Sequence, residues 1–224
     1  EDFGLQNVTG CLLCEERLIH TNKARSYFRN ILKDRLLLNT PVTELCPVSN
    51  GVKVNDKLYD LVVNCTWATS WPMEELSLYY EPCVTLTYRA DPNQPAITVM
   101  DGPFFSIYPF EKDTFTVTSV PETPRGAFVS FKSAKNYLDK IDIEYIQDLR
   151  LRVENQVKEY YPIFGDLFTF QSHFVSCKTK LHDDTETRVC IVKEKDRVIQ
   201  VMSGKIDAIF YAAEKVLEWV KQYS

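Results

Sequence analysis

The chain has 224 residues, 45% hydrophobic and 12% aromatic, so it is long and apolar enough to bury a core. Its formal net charge is -5 and it has no basic block, which argues against nucleic acid or an anionic membrane as the main partner. No apolar run is long enough to span a bilayer. These features predict a soluble globular protein with one large domain or two small ones.

The seven cysteines are an odd number, spread along a chain too large to need disulfide bonds. Reduced thiols in a cytoplasmic protein are the simplest interpretation. Cys11 and Cys14 have the spacing of a redox pair or of half a zinc site, but no second pair follows, and we interpret them as buried cysteines in a strand. The three histidines have no metal-binding spacing, so we predict no metal.

The first predicted helix begins at Thr21 or Asn22 and ends near Arg35, with apolar residues recurring every three or four positions. We expect Leu36 to Asn39 to form a short strand. The following segments, 41–45 and 52–54, flank Asn50-Gly51, a sequence that favours a hairpin turn.

The next predicted strand runs from Leu58 to Trp67. Its continuous apolar centre, Leu61-Val62-Val63, is typical of a strand covered on both faces, as in the parallel part of an α/β sheet. Because ligands gather at the carboxyl ends of such strands, Asn64 to Ser70 are expected near a site. The alternative is that Trp67 and Trp71 only seal the edge of the sheet.

From Pro82 the sequence changes to short β-rich runs separated by turns, which predicts an antiparallel meander. Asp142 is then expected to cap a long helix that stops at Pro162 and Gly165, and a strand follows from Phe168 to Thr179. We expect the meander and the helices to be inserted in, or packed against, one α/β body.

The last elements are a strand at Val198 to Val201 and an amphipathic helix from Ile206 to Val220, with Ser203 or Gly204 near its N-cap. The unpaired N–H groups of a first helical turn favour an anion or an electron-rich oxygen, and Lys205 adds a positive charge there. An ordinary turn that caps a helix is the alternative. The predicted fold class is α/β (α+β): a mixed β-sheet, an antiparallel meander and three main helices.

Arg89 and Tyr108 are the polar groups of the meander that we expect over a pocket. An arginine can bind a carboxylate through two hydrogen bonds, and a tyrosine can donate one. A solvated arginine and a half-buried tyrosine are the alternatives.

The order of these pieces resembles FAD-dependent oxidoreductases of the D-amino-acid oxidase type. The resemblance rests on Pro41 to Leu45 with its hairpin, Tyr59 to Trp67, the meander with its long helix, and the closing segment from Met202 to Ile209. It implies FAD as the cofactor and hydride transfer from an amine or hydroxyl substrate, a small molecule, to the flavin.

The resemblance also implies site residues. The strand that matches Val42 would hold the adenine through its main chain, and Cys65, Thr66 and Trp67 would lie beside the dinucleotide. The helix start that matches Gly204, Lys205 and Ile206 would point at the flavin pyrimidine edge. Arg89 and Tyr108 lie on the family's substrate side, and no catalytic residue is implied.

Two features depart from the family pattern. The Gly-x-Gly-x-x-Gly turn is absent, and Thr66-Trp67 replaces an Ala/Gly-rich turn. We therefore expect a fragment whose N-terminal dinucleotide-binding segment is missing. Residues 1–78 with 182–224 would be the remnant of the FAD-binding body, and residues 79–181 the substrate region.

Two alternative functions remain open. One is a non-enzymatic α/β interaction domain whose exposed aromatic residues bind a partner. The other is thiol redox chemistry through Cys11 and Cys14.

Overall fold

The protein is described by a computed structural model that covers residues 3–72, 74–102, 104–182, 189–203 and 205–223. In chain order, the helices are α1 (Thr21–Leu32), α2 (Phe131–Leu138), α3 (Ile143–Tyr160), α4 (Phe164–Leu167) and α5 (Ile209–Tyr223). The strands are β1 (Leu45–Val48), β2 (Gly51–Val54), β3 (Lys57–Tyr59), β4 (Val62–Asn64), β5 (Leu78–Arg89), β6 (Ile97–Thr98), β7 (Phe105–Glu111), β8 (Thr114–Ser119), β9 (Thr169–Leu181), β10 (Ile191–Lys195) and β11 (Val198–Met202).

The chain divides into two compact units. The first contains residues up to Leu36 with Glu81–Ala127 and Lys132–Cys177, and the second contains Leu37–Tyr80, Phe128–Phe131 and Lys178–Ser224. This mixture of sheets and helices confirms the predicted α/β (α+β) class. The roles that we assigned to residues 1–78 with 182–224 and to residues 79–181 stay predictions.

The first unit is built around a five-stranded sheet with the strand order β6-β7-β8-β5-β9. The pairs β6/β7, β7/β8 and β5/β8 are all antiparallel, so the predicted meander is confirmed. Every second residue of these strands enters the core cluster that also contains the apolar side chains of α3. From the strands these are Val84, Leu86, Tyr88, Phe105, Ile107, Phe115 and Val117; from α3 they are Ile146, Leu149, Val153 and Val157.

The alternate residues of the same strands point to the opposite face of the sheet, because successive side chains of a strand alternate. This face carries hydroxyl groups at nearly every position of the three central strands of the meander, and we call it the hydroxyl face. Its members are Thr85 and Thr87 of β5, Ser106 and Tyr108 of β7, and Thr116 and Thr118 of β8.

Helix α3 has the limits that its sequence predicts. The Asp142 carboxylate accepts a hydrogen bond from the Tyr145 N–H at 2.8 Å, which satisfies one unpaired donor of the first turn. At the other end the helix stops at Tyr160, two residues before Pro162. Helix α2 was not predicted from the sequence.

The N-terminal part of the chain, up to Asn39, corrects two expectations. Leu36 to Asn39 do not form a strand, and Cys11 and Cys14 are exposed and lie outside any strand, so the interpretation of buried strand cysteines was wrong. Helix α1 is confirmed, but none of its residues is buried. The apolar periodicity therefore predicted the helix correctly without predicting what its apolar face contacts.

In the second unit, β1, β2 and β3 form an antiparallel sheet with the hairpin at Asn50-Gly51 that the sequence predicts. The neighbouring turn depends on Asn55, which has a positive φ of 52°. Its side-chain oxygen accepts the N–H groups of Thr43 and Glu44 at 2.9 and 3.1 Å, and its amide donates to the Pro41 carbonyl at 3.0 Å. Asparagine is one of the few residues other than glycine that adopt this conformation readily.

The other sheet of the second unit is mixed, with the order β10-β11-β4. Strands β10 and β11 form an antiparallel hairpin, whereas β11 and β4 are parallel. Helix α5 follows β11; among its described residues only Ala212 is buried. None of the helices within the described part of the chain has the length and apolar character needed to cross a membrane.

Candidate functional site

The parallel pair β4/β11 brings together two segments that are far apart in the sequence. Val62 pairs with Val198, and Asn64 pairs with Gln200. The strands run in the same direction, so the segments that follow them, beginning at Cys65 and at Ser203, leave the same edge of the sheet. The carboxyl ends of adjacent parallel strands are where open α/β sheets bind their ligands.

The loop that follows β4 is organised by Asn64, whose side chain is only 5% exposed. Its amide oxygen accepts the Thr66 N–H at 3.0 Å and the Thr66 hydroxyl at 2.7 Å. Its amide nitrogen donates to the Ser70 carbonyl at 2.9 Å. One buried side chain therefore closes the loop from residue 64 to residue 70.

This loop has an unusual backbone conformation. Trp67, Ala68 and Trp71 have positive φ angles of 56°, 56° and 48°. Residues other than glycine rarely adopt such angles. Hydrogen bonds hold it in place: the Tyr80 hydroxyl donates to the Ala68 carbonyl at 2.6 Å, and the Thr179 hydroxyl donates to the Trp67 carbonyl at 2.7 Å. Backbone strain that is over-determined by its surroundings is typical of functional sites.

Two buried N–H donors of this unit have no hydrogen-bond partner among the residues that the structure describes. They are Nε1 of Trp67, in the loop after β4, and Nε2 of Gln200, in β11 beside Asn64. Gln200 is only 2% exposed. A buried polar atom without a partner costs free energy, so such atoms call for an explanation. Since both are donors, they fit a group that is rich in acceptors.

The segment after β11 begins with a small turn. The Ser203 hydroxyl donates to the Lys205 carbonyl at 2.8 Å and accepts the Lys205 N–H at 3.3 Å. A single 3₁₀ turn follows at Ile206–Ala208, and α5 begins at Ile209. The helix therefore starts slightly later than predicted, with Lys205 as the flanking residue. Gly204 lies outside the described residues.

Of the predicted cofactor-binding residues, the structure brings Cys65, Thr66 and Trp67 to the same sheet edge as Lys205 and Ile206. Val42 lies in the segment before β1, outside any strand. No strand pairing among the described residues joins the β1-β2-β3 sheet to the β4/β11 sheet. Burial raises the pKa of the Cys65 thiol, so Cys65 favours the neutral form.

Arg89 and Tyr108, the predicted substrate-binding residues, both occur in the first unit. Arg89 continues the row of Thr85 and Thr87 on β5, but its Nε lies 3.2 Å from the Asp113 carboxylate and both side chains are solvent-exposed. Tyr108 belongs to the hydroxyl face; its OH donates to the Glu16 carboxylate and accepts from Thr98, both at 3.2 Å. Their role in binding stays a prediction.

The sequence interpretation missed Gln200 as a site residue. The sequence could have indicated it, because Gln200 is the one polar residue in the otherwise apolar run from Val198 to Met202. It also gave Asn64 no role of its own, although an asparagine directly after two valines of a strand is a typical loop-organising residue.

Comparison with known proteins identifies relatives of the chain. No protein-family model matches the chain. The chain is 35% identical over 221 residues to the FAD-dependent monooxygenase FPY4 of Fusarium mangiferae, a match that includes 98% of this chain and 60% of that protein. The chain thus spans less than two thirds of this relative's length.

Solved structures show the same fold at low sequence identity. L-proline dehydrogenase from P. horikoshii matches 85% of this chain and 52% of its own, with a TM-score of 0.57 and 13% identity. Glycine oxidase from Geobacillus kaustophilus matches 79% of this chain and 46% of its own, with a TM-score of 0.53 and 12% identity. Together with the monooxygenase, they confirm that this chain resembles FAD-dependent oxidoreductases of the D-amino-acid oxidase type.

Proposed function

We propose that this chain is the C-terminal part of an FAD-dependent oxidoreductase that acts on a small molecule. The observation that carries the proposal is the parallel pair β4/β11, which gathers Cys65 to Trp67 and Lys205 at one sheet edge. The two unpartnered donors, Trp67 Nε1 and Gln200 Nε2, add a chemical reason, because the carbonyl and phosphate oxygens of FAD are acceptors.

Bound FAD would supply the redox chemistry by accepting a hydride from the substrate carbon that bears an amine or hydroxyl group. The chain itself would position the cofactor. Trp67 and Gln200 would donate hydrogen bonds to it, and the Lys205 ammonium would stabilise the negative charge that a reduced flavin acquires. The oxidised substrate leaves as an imine or carbonyl compound, and oxygen or another acceptor takes the two electrons.

The sequence contains no Gly-x-Gly-x-x-Gly motif, so we propose that a dinucleotide-binding segment matching the rest of the relative completes the cofactor site. The test is titration of the complete protein with FAD, followed by visible absorption. Trp67→Phe should weaken FAD binding about 3- to 10-fold, the effect of losing one hydrogen bond. Trp71→Phe, in the same loop, is the matched control and should leave binding unchanged.

Equal FAD affinity in the wild type and the Trp67→Phe variant would contradict the role of Trp67. Failure of the complete protein to bind FAD at all would favour the non-enzymatic interaction domain.

A second candidate reaction follows from the name of the relative FPY4, a monooxygenase. In that reaction one atom of O₂ enters the product and the other is reduced to water by a reduced nicotinamide. Turnover under ¹⁸O₂ separates the two candidates. Label in the product indicates monooxygenation, whereas unlabelled product with one H₂O₂ per turnover indicates an oxidase.

A further inference from the structure

The loop after β4 contains a tight turn at Trp67 and Ala68. The Thr69 N–H donates to the Thr66 carbonyl at 3.2 Å, and both residues between them have a φ of 56°. Positive φ at both central positions is the pattern of a type I′ turn, in which asparagine and glycine are preferred. Tryptophan and alanine adopt this conformation at a cost in free energy, so the surroundings of the turn must hold it.

Two buried hydroxyl groups bind the peptide groups on either side of Ala68. The Thr179 hydroxyl donates to the Trp67 carbonyl at 2.7 Å, and the Tyr80 hydroxyl donates to the Ala68 carbonyl at 2.6 Å. Thr179 and Tyr80 are each 4% exposed, so water competes weakly with these bonds. Because peptide groups are planar, φ and ψ of Ala68 set the orientation of the two carbonyls relative to each other. The two hydroxyls therefore fix the left-handed conformation of Ala68.

Both donors are held by regular structure of the second unit, to which the loop also belongs. Tyr80 lies near the start of β5, where its N–H donates to the Phe128 carbonyl at 2.8 Å and its carbonyl accepts the Phe128 N–H at 2.9 Å. Its ring packs edge-on against Phe131, with the centroids 6.1 Å apart. Thr179 lies in the long strand β9. The turn is therefore anchored to residues whose own positions are fixed.

The anchored turn carries the residue that calls for a ligand. Asn64 already closes the loop through the Ser70 carbonyl, so the two hydroxyls act on the part of the loop that bears Trp67. The indole Nε1 of Trp67 is buried and has no acceptor among the described residues. A strained turn and an unpaired donor both cost free energy, and a bound acceptor-rich group offsets that cost.

We propose that Tyr80 and Thr179 are positioning residues of the flavin site. Their hydroxyls hold the turn at Trp67 and Ala68 in its left-handed conformation, and this conformation presents residues 65–67 to FAD. The inference rests on the proposed function, in which this loop lies beside the cofactor. A turn that is already formed loses little conformational entropy when FAD binds, so the two hydroxyls increase the affinity for FAD without touching it.

The test measures the dissociation constant of FAD for the complete protein by titration and visible absorption. Thr179→Val and Tyr80→Phe each remove one hydroxyl and keep the shape of the side chain, and each should weaken FAD binding about 3- to 10-fold. Thr179→Ser keeps the hydroxyl and should bind FAD as the wild type does. Thr169→Val, at an exposed position of β9, and Tyr79→Phe, whose ring contacts His182, are the matched controls and should leave FAD binding unchanged.

Ala68→Gly tests whether the hydroxyls act through the backbone conformation of the turn. Glycine adopts a positive φ without steric cost, so Ala68→Gly combined with Thr179→Val should return the dissociation constant to within about twofold of the wild-type value. A hydroxyl that stabilises only the fold would not be replaced by glycine in this way. If Thr179→Val does not fold, Tyr80→Phe takes its place in the combination. Absence of this rescue, or wild-type FAD binding in both hydroxyl-deleted variants, overturns the inference.

Failure of this inference differs from failure of the proposed function. A complete protein that binds FAD equally well with and without the two hydroxyls keeps the proposed function and loses the positioning role of Tyr80 and Thr179. A complete protein that binds no FAD loses both.

Discussion

Helices α3 and α5 have the same kind of sequence but different environments. Both carry apolar residues at spacings of three and four. In α3 four of them, Ile146, Leu149, Val153 and Val157, are buried in the core of the first unit, with Leu149 fully covered. In α5 Ala212 is the one buried residue among those described, and Phe210 is 78% exposed. Apolar periodicity thus predicts that a segment is helical, but it does not predict which surface covers the helix.

The difference extends to polar residues. Glu154 of α3 is 9% exposed, and its carboxylate accepts hydrogen bonds from the Tyr88 hydroxyl at 3.2 Å and from Arg150 Nε at 2.6 Å. On α5, Glu218 pairs with Lys215 at 2.9 Å, but both side chains are solvent-exposed. Only the first pair lies where water competes weakly with the hydrogen bonds.

The largest expected difference comes from removing one leucine from each helix. Leu149→Ala should lower the free energy of unfolding by about 2–5 kcal/mol, because it leaves a cavity in the core. Leu217→Ala, on the exposed face of α5, should change it by less than about 0.5 kcal/mol. Denaturant unfolding of the 224-residue chain measures both, and equal effects would contradict the contrast between the helices.

A smaller difference is expected from the two glutamates. Glu154→Ala should cost about 1–3 kcal/mol, since it leaves the buried Tyr88 hydroxyl without its acceptor. Glu218→Ala serves as the exposed control and should leave the unfolding midpoint unchanged. A Glu154→Ala variant as stable as the wild type would show that water replaces the carboxylate.

The smallest expected effect concerns the Tyr88 hydroxyl. Tyr88→Phe should cost about 0.5–1.5 kcal/mol at neutral pH. Burial, and then the neighbouring Glu154 carboxylate, raise the pKa of Tyr88 in the folded state, so this tyrosine ionises more readily when the chain unfolds. Its contribution is complete below the unfolded pKa of about 10 and is lost as the pH rises above it.

Denaturant unfolding between pH 9 and pH 11 tests whether the contribution of Tyr88 to stability falls as the pH rises. The wild type should lose stability more steeply than Tyr88→Phe over that range. Parallel curves would indicate that Tyr88 is not buried against Glu154.

The elements with local signals could be predicted from the sequence. The meander, the Asp142 cap, the hairpins and the strand–helix end of the chain all depend on residues close in sequence, such as Asn50-Gly51. The prediction of a strand from Leu36 to Asn39 was wrong, because a short run of leucines is compatible with a strand and also with an exposed loop. The predicted burial of Cys11 and Cys14 was wrong for a similar reason. The two leucines between them suggested a buried strand, but both cysteines are exposed.

The candidate site could be predicted only in part. Cys65 to Trp67 and Lys205 follow strands, and their proximity required the parallel pairing of β4 with β11, which the sequence does not specify. Gln200 needed the structure, because only the fold shows that its amide is buried without a partner among the described residues. Threonines at alternate positions of β5 and β8 were visible in the sequence, but that they share one face depends on the strand register.

The central claim is that the protein of which these residues form part binds a flavin. Its most direct test is the visible absorption spectrum of the protein expressed from its complete reading frame, with the 224-residue chain as the control. We predict a flavin spectrum in the complete protein that is weak or absent in the control. A complete protein that is colourless and takes up no added FAD would contradict the account.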